Sequence, residues 1–270
     1  MNRILGLDDT MTELSARTRS RTSLTRGVDS IQTVRIPWDP KAAAIIICDM
    51  WDDHHCVSAA SRVAEMAPRM NEVVAELRRS GTLIIHAPSG CMHFYSNTAA
   101  RLRATTATRA EAPVDIGWND RNPEREAPLP PTIADPGPCS CDSPQPCCDP
   151  GSPHPWTRQI SAIEVRPEDA VSDDGQEVFN LLESRGIDDV VVMGVHTNIC
   201  VLGRPFGIRQ LVYLGKRPLL CRDLTDSFHR DPRGHRKGTE MVVGHIERFW
   251  CPSVTSDQLA DGKPFRWVER

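Results

Sequence analysis

The sequence predicts an α/β fold with three layers, α/β/α, in which helices cover both faces of a mainly parallel, Rossmann-like sheet, plus a Pro/Cys-rich insertion. Two observations lead to this prediction. Largely apolar runs at 44–48, 82–86 and 190–195 are typical of strands that are buried on both faces. Between the first two runs, apolar residues recur at helical spacing from 58 to 79. Two parallel strands joined by a helix form a right-handed crossover, which commits the chain to an α/β layer architecture.

The remaining elements continue the alternation of helix and strand. The spacing of apolar residues predicts a helix over 175–186 and another over 199–213. A short strand at 218–221, a last helix at 238–250 and a closing edge strand at 252–255 follow. Ligands bind beyond the carboxyl ends of the strands in such sheets, so the residues that follow the strands are the candidates for a functional site.

With 270 residues, the chain has the length of one α/β domain that carries an insertion. The core is expected over 36–258. It is interrupted at 113–158, which holds 12 of the 22 prolines, a density that excludes a central strand or a helix interior. Residues 1–35 are polar and predict an N-terminal arm, and 259–270 predict a C-terminal tail.

Composition narrows the class of partner. Lys and Arg number 32 against 36 Asp and Glu, a formal charge of -4, so the chain lacks the basic field that nucleic-acid-binding proteins use. No apolar run approaches the length of a membrane span. The first 35 residues lack the apolar block of a secretory signal. We therefore expect a cytoplasmic protein with reduced thiols that acts on a small molecule, with neither a nucleic acid nor a membrane as partner.

The stretch 194–200 leads from a strand end through a short turn into a predicted helix start, where Cys200 stands. A cysteine at a helix N-terminus meets the positive end of the dipole and unpaired backbone amides, which favour the thiolate and can hold an oxyanion. This position predicts a nucleophile, although free cysteine is also a common small core residue. Arg204 and Arg209 follow Cys200 in the sequence. We expect these arginines to face an interface or a carboxylate of the substrate, or else solvent.

These motifs resemble those of a known family. The strand that ends in Asp49, the Gly-x-x-Thr-Asn-x-Cys-Val stretch at 194–201 and the Arg-Asp-Leu at 222–224 resemble the isochorismatase-like cysteine hydrolases, which include nicotinamidases. The similarity extends over about 42–110 and 160–258. Within the family, the motifs Asp-Met-Trp-Asp-Asp-His-His-Cys and Cys-Val-Leu-Gly-Arg-Pro-Phe-Gly are similar to those of a bacterial subgroup of unassigned substrate.

The resemblance implies a cysteine hydrolase that cleaves a small-molecule C–N (amide-like) or ester bond through an acyl-enzyme on Cys200, with Asp49 as acid and base. It also implies that the amides of His196 and Cys200 hold the oxyanion, and that the protein is a homo-oligomer. Further side chains expected around the pocket are Trp51, His54, His55, His86, His93 and Asn198.

The family's third catalytic residue, a lysine, is not found. The corresponding segment, 158–175, contains none, and its cations are Arg158 and Arg166. Either arginine is a candidate substitute that supplies fixed positive charge, although arginine cannot exchange protons as lysine does. A catalytically silent module that binds a ligand or partner is therefore the alternative to a hydrolase.

Two groups of residues are candidates for zinc, and no other cofactor is expected. The first group is His54, His55 and His93. These side chains would bind an ion that activates water in a metal-dependent hydrolase, or else they would only form hydrogen bonds at the pocket mouth. The second comprises four thiols of the insertion that would hold a structural ion, with disulfides or incidental thiols as alternatives. These thiols are Cys139, Cys141, Cys147 and Cys148.

Overall fold

The computed structural model describes residues 11–20, 29–135, 137 and 154–268. The strands are β1 Thr12–Ser20, β2 Ser30–Trp38, β3 Ala43–Cys48, β4 Leu83–Ala87, β5 Ala170–Val171, β6 Asp189–Val195, β7 Arg217–Asp226 and β8 Ser253–Val254. The helices are α1 Val57–Arg79, α2 Met92–Tyr95, α3 Ala99–Thr105, α4 Pro131–Ala134, α5 Gly175–Glu183, α6 Cys200–Gly203, α7 Ile208–Tyr213 and α8 His235–Phe249. Across these ranges, none of the helices combines the length and the apolar character that crossing a membrane requires.

Strand β3 is buried along its whole length, and its alternate side chains enter two separate apolar cores. Ala44 and Ile46 pack in the core that α5, α7 and α8 cover. Ile45 and Ile47 pack in the core that α1 covers on the other face. The predicted three-layer α/β/α fold is therefore confirmed, and the long apolar runs of the sequence are its central strands.

The eight strands form one sheet in the order β2-β1-β8-β7-β6-β3-β4-β5. Pairing is parallel from β8 to β5 and antiparallel at the β1–β2 hairpin. Two expectations are wrong here. Strand β8 lies between β7 and β1 and is not an edge, and the segment predicted as a polar arm contributes the hairpin. The sequence did not predict the hairpin, because most side chains of β2 are exposed and leave no alternating apolar pattern.

The single helix predicted over 199–213 is two short helices, α6 and α7. Pro205 has no backbone N–H to donate and interrupts the helical hydrogen bonds. Gly207 permits the tight turn that follows, since a Cβ there would lie 2.8 Å from the Val201 carbonyl oxygen. The break directs the Arg204 side chain back toward the strand ends. The strand predicted at 218–221 is the longer β7, which continues past a register shift against β6.

The described part of the insertion is joined to the core by several hydrogen bonds, and the buried carboxylate of Glu126 accepts four of them. Its two oxygens accept from Nε and Nη2 of Arg209 at 2.8 and 2.9 Å. His245 Nε2 and Trp250 Nε1 donate to the same carboxylate at 2.6 and 2.9 Å. Burial alone would raise the pKa of Glu126, but these donors lower it to about 2. The Glu126 carboxylate thus connects the insertion to α7 and α8 through hydrogen bonds between buried side chains.

We expect Glu126→Ala to lower the free energy of unfolding by about 3–5 kcal/mol, because it leaves buried donors of Arg209, His245 and Trp250 without an acceptor. Urea denaturation of the variant measures this. Glu124→Ala is the matched control, since Glu124 is an exposed carboxylate two residues away, and its effect should stay within about 0.5 kcal/mol. Equal effects of the two substitutions would contradict the anchoring role of Glu126.

Candidate active site

Asp49 and Cys200 meet at the carboxyl ends of the neighbouring strands β3 and β6. Asp49 follows β3 directly and has a φ of 49°, in the left-handed region. Gly194 of β6 has a φ of 110°, and a Cβ there would lie 2.0 Å from the Cys48 carbonyl oxygen. Only glycine lets the two strands approach this closely. The glycine of the motif therefore helps to bring the turn that carries Cys200 beside Asp49.

The Asp49 carboxylate is fully buried and accepts hydrogen bonds from two other parts of the chain. The Ser89 amide donates to Oδ1 at 2.8 Å, and Arg204 Nε donates to Oδ2 at 3.1 Å. The Cys200 thiol lies beside this carboxylate. Burial raises the pKa of Asp49, while Arg204, Cys200 and Ser89 oppose the rise. The side chain is placed to accept a proton from the thiol.

The Cys200 thiol is buried, with 5% of the residue exposed. The backbone of His196 lies next to the thiol and follows a cis peptide between Val195 and His196. Burial, and then the negative charge of Asp49, raise the pKa of Cys200 well above its ordinary value. The expectation that a helix start lowers this pKa is wrong, because burial and the charge of Asp49 outweigh the opposing effects of Arg204 and the His196 backbone. The resting site holds a thiol beside a carboxylate.

The cation at this pair is Arg204. It is held in place by Asp49, whose charge raises the arginine pKa against the opposing effect of burial. Its guanidinium carbon lies 5.6 Å from the centre of the Trp118 ring, so the insertion covers its outer side. The sequence interpretation named Arg204 as able to face a carboxylate of a substrate, and the carboxylate that it contacts belongs to the protein.

The two arginines predicted to substitute for the missing lysine lie elsewhere. Arg158 Nε stands 3.7 Å from an oxygen of Asp52, and Arg166 Nη2 stands 2.9 Å from an oxygen of Glu164. Both side chains are about half exposed. Both guanidinium groups are therefore in contact with solvent, whereas Arg204 is brought inward by the break after α6.

Two neutral histidines extend the site away from Cys200. The Cys56 amide donates to His54 Nδ1 at 3.0 Å, so the proton of this ring is assigned to Nε2, which lies 3.3 Å from His196 Nε2. His196 then carries its own proton on Nδ1, which is buried without a partner among the described residues. Burial lowers the pKa of His54 to about 2 and that of His196 to about 4.

Aromatic rings line the side of the site next to Ser89. Trp51 stacks on Trp156 with ring centres 4.2 Å apart and donates from Nε1 to the Ser89 carbonyl at 3.0 Å. The His54 ring lies between Trp156 and His55, at 5.7 and 4.1 Å from their ring centres. Trp51, His54 and His55 therefore lie together on this side of the site, and their role as pocket residues stays a prediction. Trp156 was missed because it stands alone in the proline-rich segment.

Three other predicted pocket residues have different surroundings. His86 is buried on β4, with Nδ1 beside Gln159 and Nε2 beside Asp169, both at 3.1 Å. His93 is exposed on α2. Asn198 donates to the carbonyls of residues 133 and 228 at 2.9 and 2.7 Å, which ties the turn after β6 to the insertion. His86 and Asn198 therefore contact the protein's own framework, whereas His93 faces solvent.

The residues present do not fit a metal ion at this site. Both ring nitrogens of His54 are engaged by the protein, and the exposed His93 is not part of the cluster. No group of three His, Cys, Asp or Glu side chains in the part of the chain that the structure describes has an arrangement suited to a metal. The four cysteines of the insertion lie outside the described residues, and the zinc site there stays a prediction. Those cysteines are Cys139, Cys141, Cys147 and Cys148.

Comparison with known proteins gives similarities of fold. No family model and no curated protein matches the chain. A cysteine hydrolase of Pseudomonas syringae pv. phaseolicola is 15% identical, with a TM-score of 0.49 over 84% of this chain and 94% of that one. An isochorismatase of Pseudomonas putida is 14% identical, with a TM-score of 0.47 over 82% and 91%. The N-carbamoylsarcosine amidase of Thermoplasma acidophilum is 14% identical, with a TM-score of 0.43 over 80% and 96%.

These three proteins belong to the family that the motifs at Asp49 and Cys200 resemble. The identities are far below 25% and the TM-scores are below 0.5, so the activities of these proteins do not transfer to this chain. The function therefore rests on the geometry of the site.

We expect Asp49→Asn to shift the alkylation of Cys200 by iodoacetamide to lower pH, because it removes the negative charge that raises the thiol pKa. Site-by-site mass spectrometry over a pH series measures the shift. Cys251 is the internal control, since it is also 5% exposed and has a pKa raised by burial, but lies away from Asp49. A Cys200 profile that is unchanged, or that moves to higher pH, would show that the two groups are not coupled.

Acid should destabilise the fold through His54 and His196. Their folded-state pKa values lie below the ordinary 6.5, so the unfolded chain binds protons that the folded chain refuses. The free energy of unfolding then falls as the pH drops from about 6.5, by up to about 1.4 kcal/mol per pH unit for each histidine. Denaturation at pH 6 and pH 5 measures the slope. His196→Gln should flatten it, and the exposed control His93→Gln should not; equal slopes in both variants would refute the assignment.

Proposed function

We propose that this chain is a cysteine hydrolase that cleaves a small-molecule C–N (amide-like) or ester bond through an acyl-enzyme on Cys200. The observation that carries the proposal is the buried Cys200 thiol beside the buried Asp49 carboxylate, where each group changes the pKa of the other, with the backbone of His196 next to the same thiol. This is the arrangement of a nucleophile, its base and an oxyanion donor within one site.

Acylation begins when the Cys200 sulfur attacks the carbonyl carbon of the substrate and Asp49 takes the thiol proton. The carbonyl oxygen becomes an oxyanion, and the amides of His196 and Cys200 are its donors. When the tetrahedral intermediate collapses, the C–N or C–O bond breaks and Asp49 returns the proton to the leaving amine or alcohol. The product of this half-reaction is a thioester on Cys200 with Asp49 again ionised.

Deacylation repeats the same steps with water. Asp49 removes a proton from a water molecule, whose oxygen attacks the thioester carbon and forms a second oxyanion. Collapse of this intermediate breaks the C–S bond, and the thiolate leaving group takes the proton from Asp49. A carboxylic acid is released, and one carboxylate has carried every proton. The raised pKa of Asp49 suits this role, because a base is most effective when its pKa approaches the working pH.

Arg204 supplies the fixed positive charge that the family's lysine would provide. Burial raises the pKa of Asp49 and the positive charge of Arg204 opposes that rise, so Arg204 favours the ionised carboxylate that can accept the proton of the thiol. An arginine stays charged at all working pH values, so it leaves the proton transfers to Asp49. The 3.1 Å hydrogen bond from Arg204 Nε to Asp49 Oδ2 supports this role, because it brings the fixed positive charge next to the carboxylate that moves the protons.

Mass spectrometry of the protein with a panel of small amides and activated esters tests the proposal. We expect an acyl adduct on the Cys200 peptide and turnover that Cys200→Ala or Asp49→Asn lowers by about 1000-fold or more. Cys251→Ala is the matched control, because Cys251 is equally buried, and it should leave the rate unchanged. If adducts form equally in Cys200→Ala, or if no ester acylates Cys200, the chain is a binding module with an inactive site.

The role of Arg204 adds a pH signature to the same assay. Arg204→Gln removes the charge that opposes the effect of burial, so the pKa of Asp49 should rise, and the acid limb of the kcat/KM profile should move to higher pH. Arg204→Lys keeps a positive charge and should restore part of the activity. An acid limb that stays in place in Arg204→Gln would show that this arginine serves only the fold.

A further inference from the structure

A cavity lies away from Cys200, between the end of β7, the start of α8, strand β1 and the C-terminal segment. Its volume is about 700 Å³, within the range of small-molecule sites. It does not involve Asp49 or Cys200, and so it is independent of the proposed hydrolase site. Five arginines line it, and they come from four separate parts of the chain: Arg17, Arg19, Arg222, Arg236 and Arg266.

Two of these arginines share one carboxylate. Arg17 Nε donates to Oε1 of Glu247 at 2.6 Å, and Arg19 Nε donates to Oε2 at 2.7 Å. The Glu247 side chain is fully buried behind them and also accepts from Ser253 Oγ. One negative charge thus faces two positive ones.

Arg222 contacts only neutral acceptors among the described residues. Its Nη1 donates to the carbonyl and to the hydroxyl of Ser253, at 3.0 and 3.3 Å. Burial, and then the charge of Arg17, lower the pKa of this arginine. The charges of Glu247 and Asp223 oppose this effect, and an anion in the cavity would add to their stabilisation of the charged Arg222.

The nearest carboxylate on the wall, Asp223, is already satisfied. It accepts from the amide and the hydroxyl of Ser256 at 2.9 and 2.7 Å, and from the Phe265 amide at 2.8 Å. It holds the C-terminal segment against β7 and does not pair with the arginines. Glu240 is the remaining acid of the lining. Among the described residues, the lining thus includes five arginines and two carboxylates, Asp223 and Glu240, with Glu247 buried behind Arg17 and Arg19.

Aromatic rings of the C-terminal segment form another part of the lining. Phe265 and Trp267 line the cavity and pack edge to face, with ring centres 4.8 Å apart. A flat apolar surface beside a group of arginines suits a compact organic anion better than a free halide. The chain's overall charge of -4 argues against an extended polyanion such as nucleic acid as the occupant.

We propose that this cavity is a binding site for a small organic polyanion, a molecule that carries at least two phosphate or carboxylate groups. Arg17, Arg19 and Arg222 would bind the acidic groups through their forked guanidinium donors, which match both chemistries. Trp267 would cover the rest of the molecule.

Titration with pyrophosphate and with citrate, followed by calorimetry and tryptophan fluorescence, tests the site and separates the two chemistries. We expect saturable binding of at least one probe, weakened by added salt and weakened about tenfold or more in Arg222→Gln. Arg222→Lys should bind with intermediate affinity. Arg35→Gln is the matched control, since Arg35 is an exposed arginine of the same hairpin that pairs with Glu13 outside the cavity.

Preference for pyrophosphate would assign a phosphorylated ligand, and preference for citrate a polycarboxylate. Trp267→Phe should remove the fluorescence change while the heat of binding persists. Each variant is first compared with the native protein by thermal unfolding, and Arg222→Lys provides the result if Arg222→Gln does not fold. No saturable binding of either probe, or equal loss in Arg222→Gln and Arg35→Gln, would overturn the proposal.

Discussion

A buried carboxylate that must remain charged is the constraint on which the candidate site depends. Asp49 is fully buried at the end of a central strand, where burial alone favours its neutral form. Arg204 and Ser89 donate hydrogen bonds to this carboxylate, and these two residues and Cys200 oppose the effect of burial on its pKa. Each comes from a different part of the chain, so a single charged group determines how three segments pack against the strand.

The break between α6 and α7 serves both this site and the insertion. Because Pro205 ends α6, Arg204 turns inward to Asp49. The next helix, α7, carries Arg209 in its first turn, where it binds Glu126. The insertion that Glu126 anchors then places Trp118 over Arg204. A proline that is unfavourable in a continuous helix thus connects the cation of the site with the segment that covers it.

The central strands and helices could be predicted from the sequence, because burial on both faces produces continuous apolar runs and one-sided burial produces helical spacing. The prediction failed where packing leaves no such pattern. Strand β2 is largely exposed, so its residues resemble a polar arm. Strand β8 has only two residues, and its central place follows from its neighbours β7 and β1, not from its composition.

The sequence by itself determined that an aspartate and a cysteine follow strands that end at the same edge, and that no lysine stands in the segment 158–175. Only the tertiary structure decided which cation replaces it, because charge pairing depends on distance and burial. Arg158, Arg166 and Arg204 are alike as residues, yet two remain in solvent and one meets Asp49. The same reason applies to the Cys200 pKa: a helix start would lower it, but burial beside a carboxylate raises it.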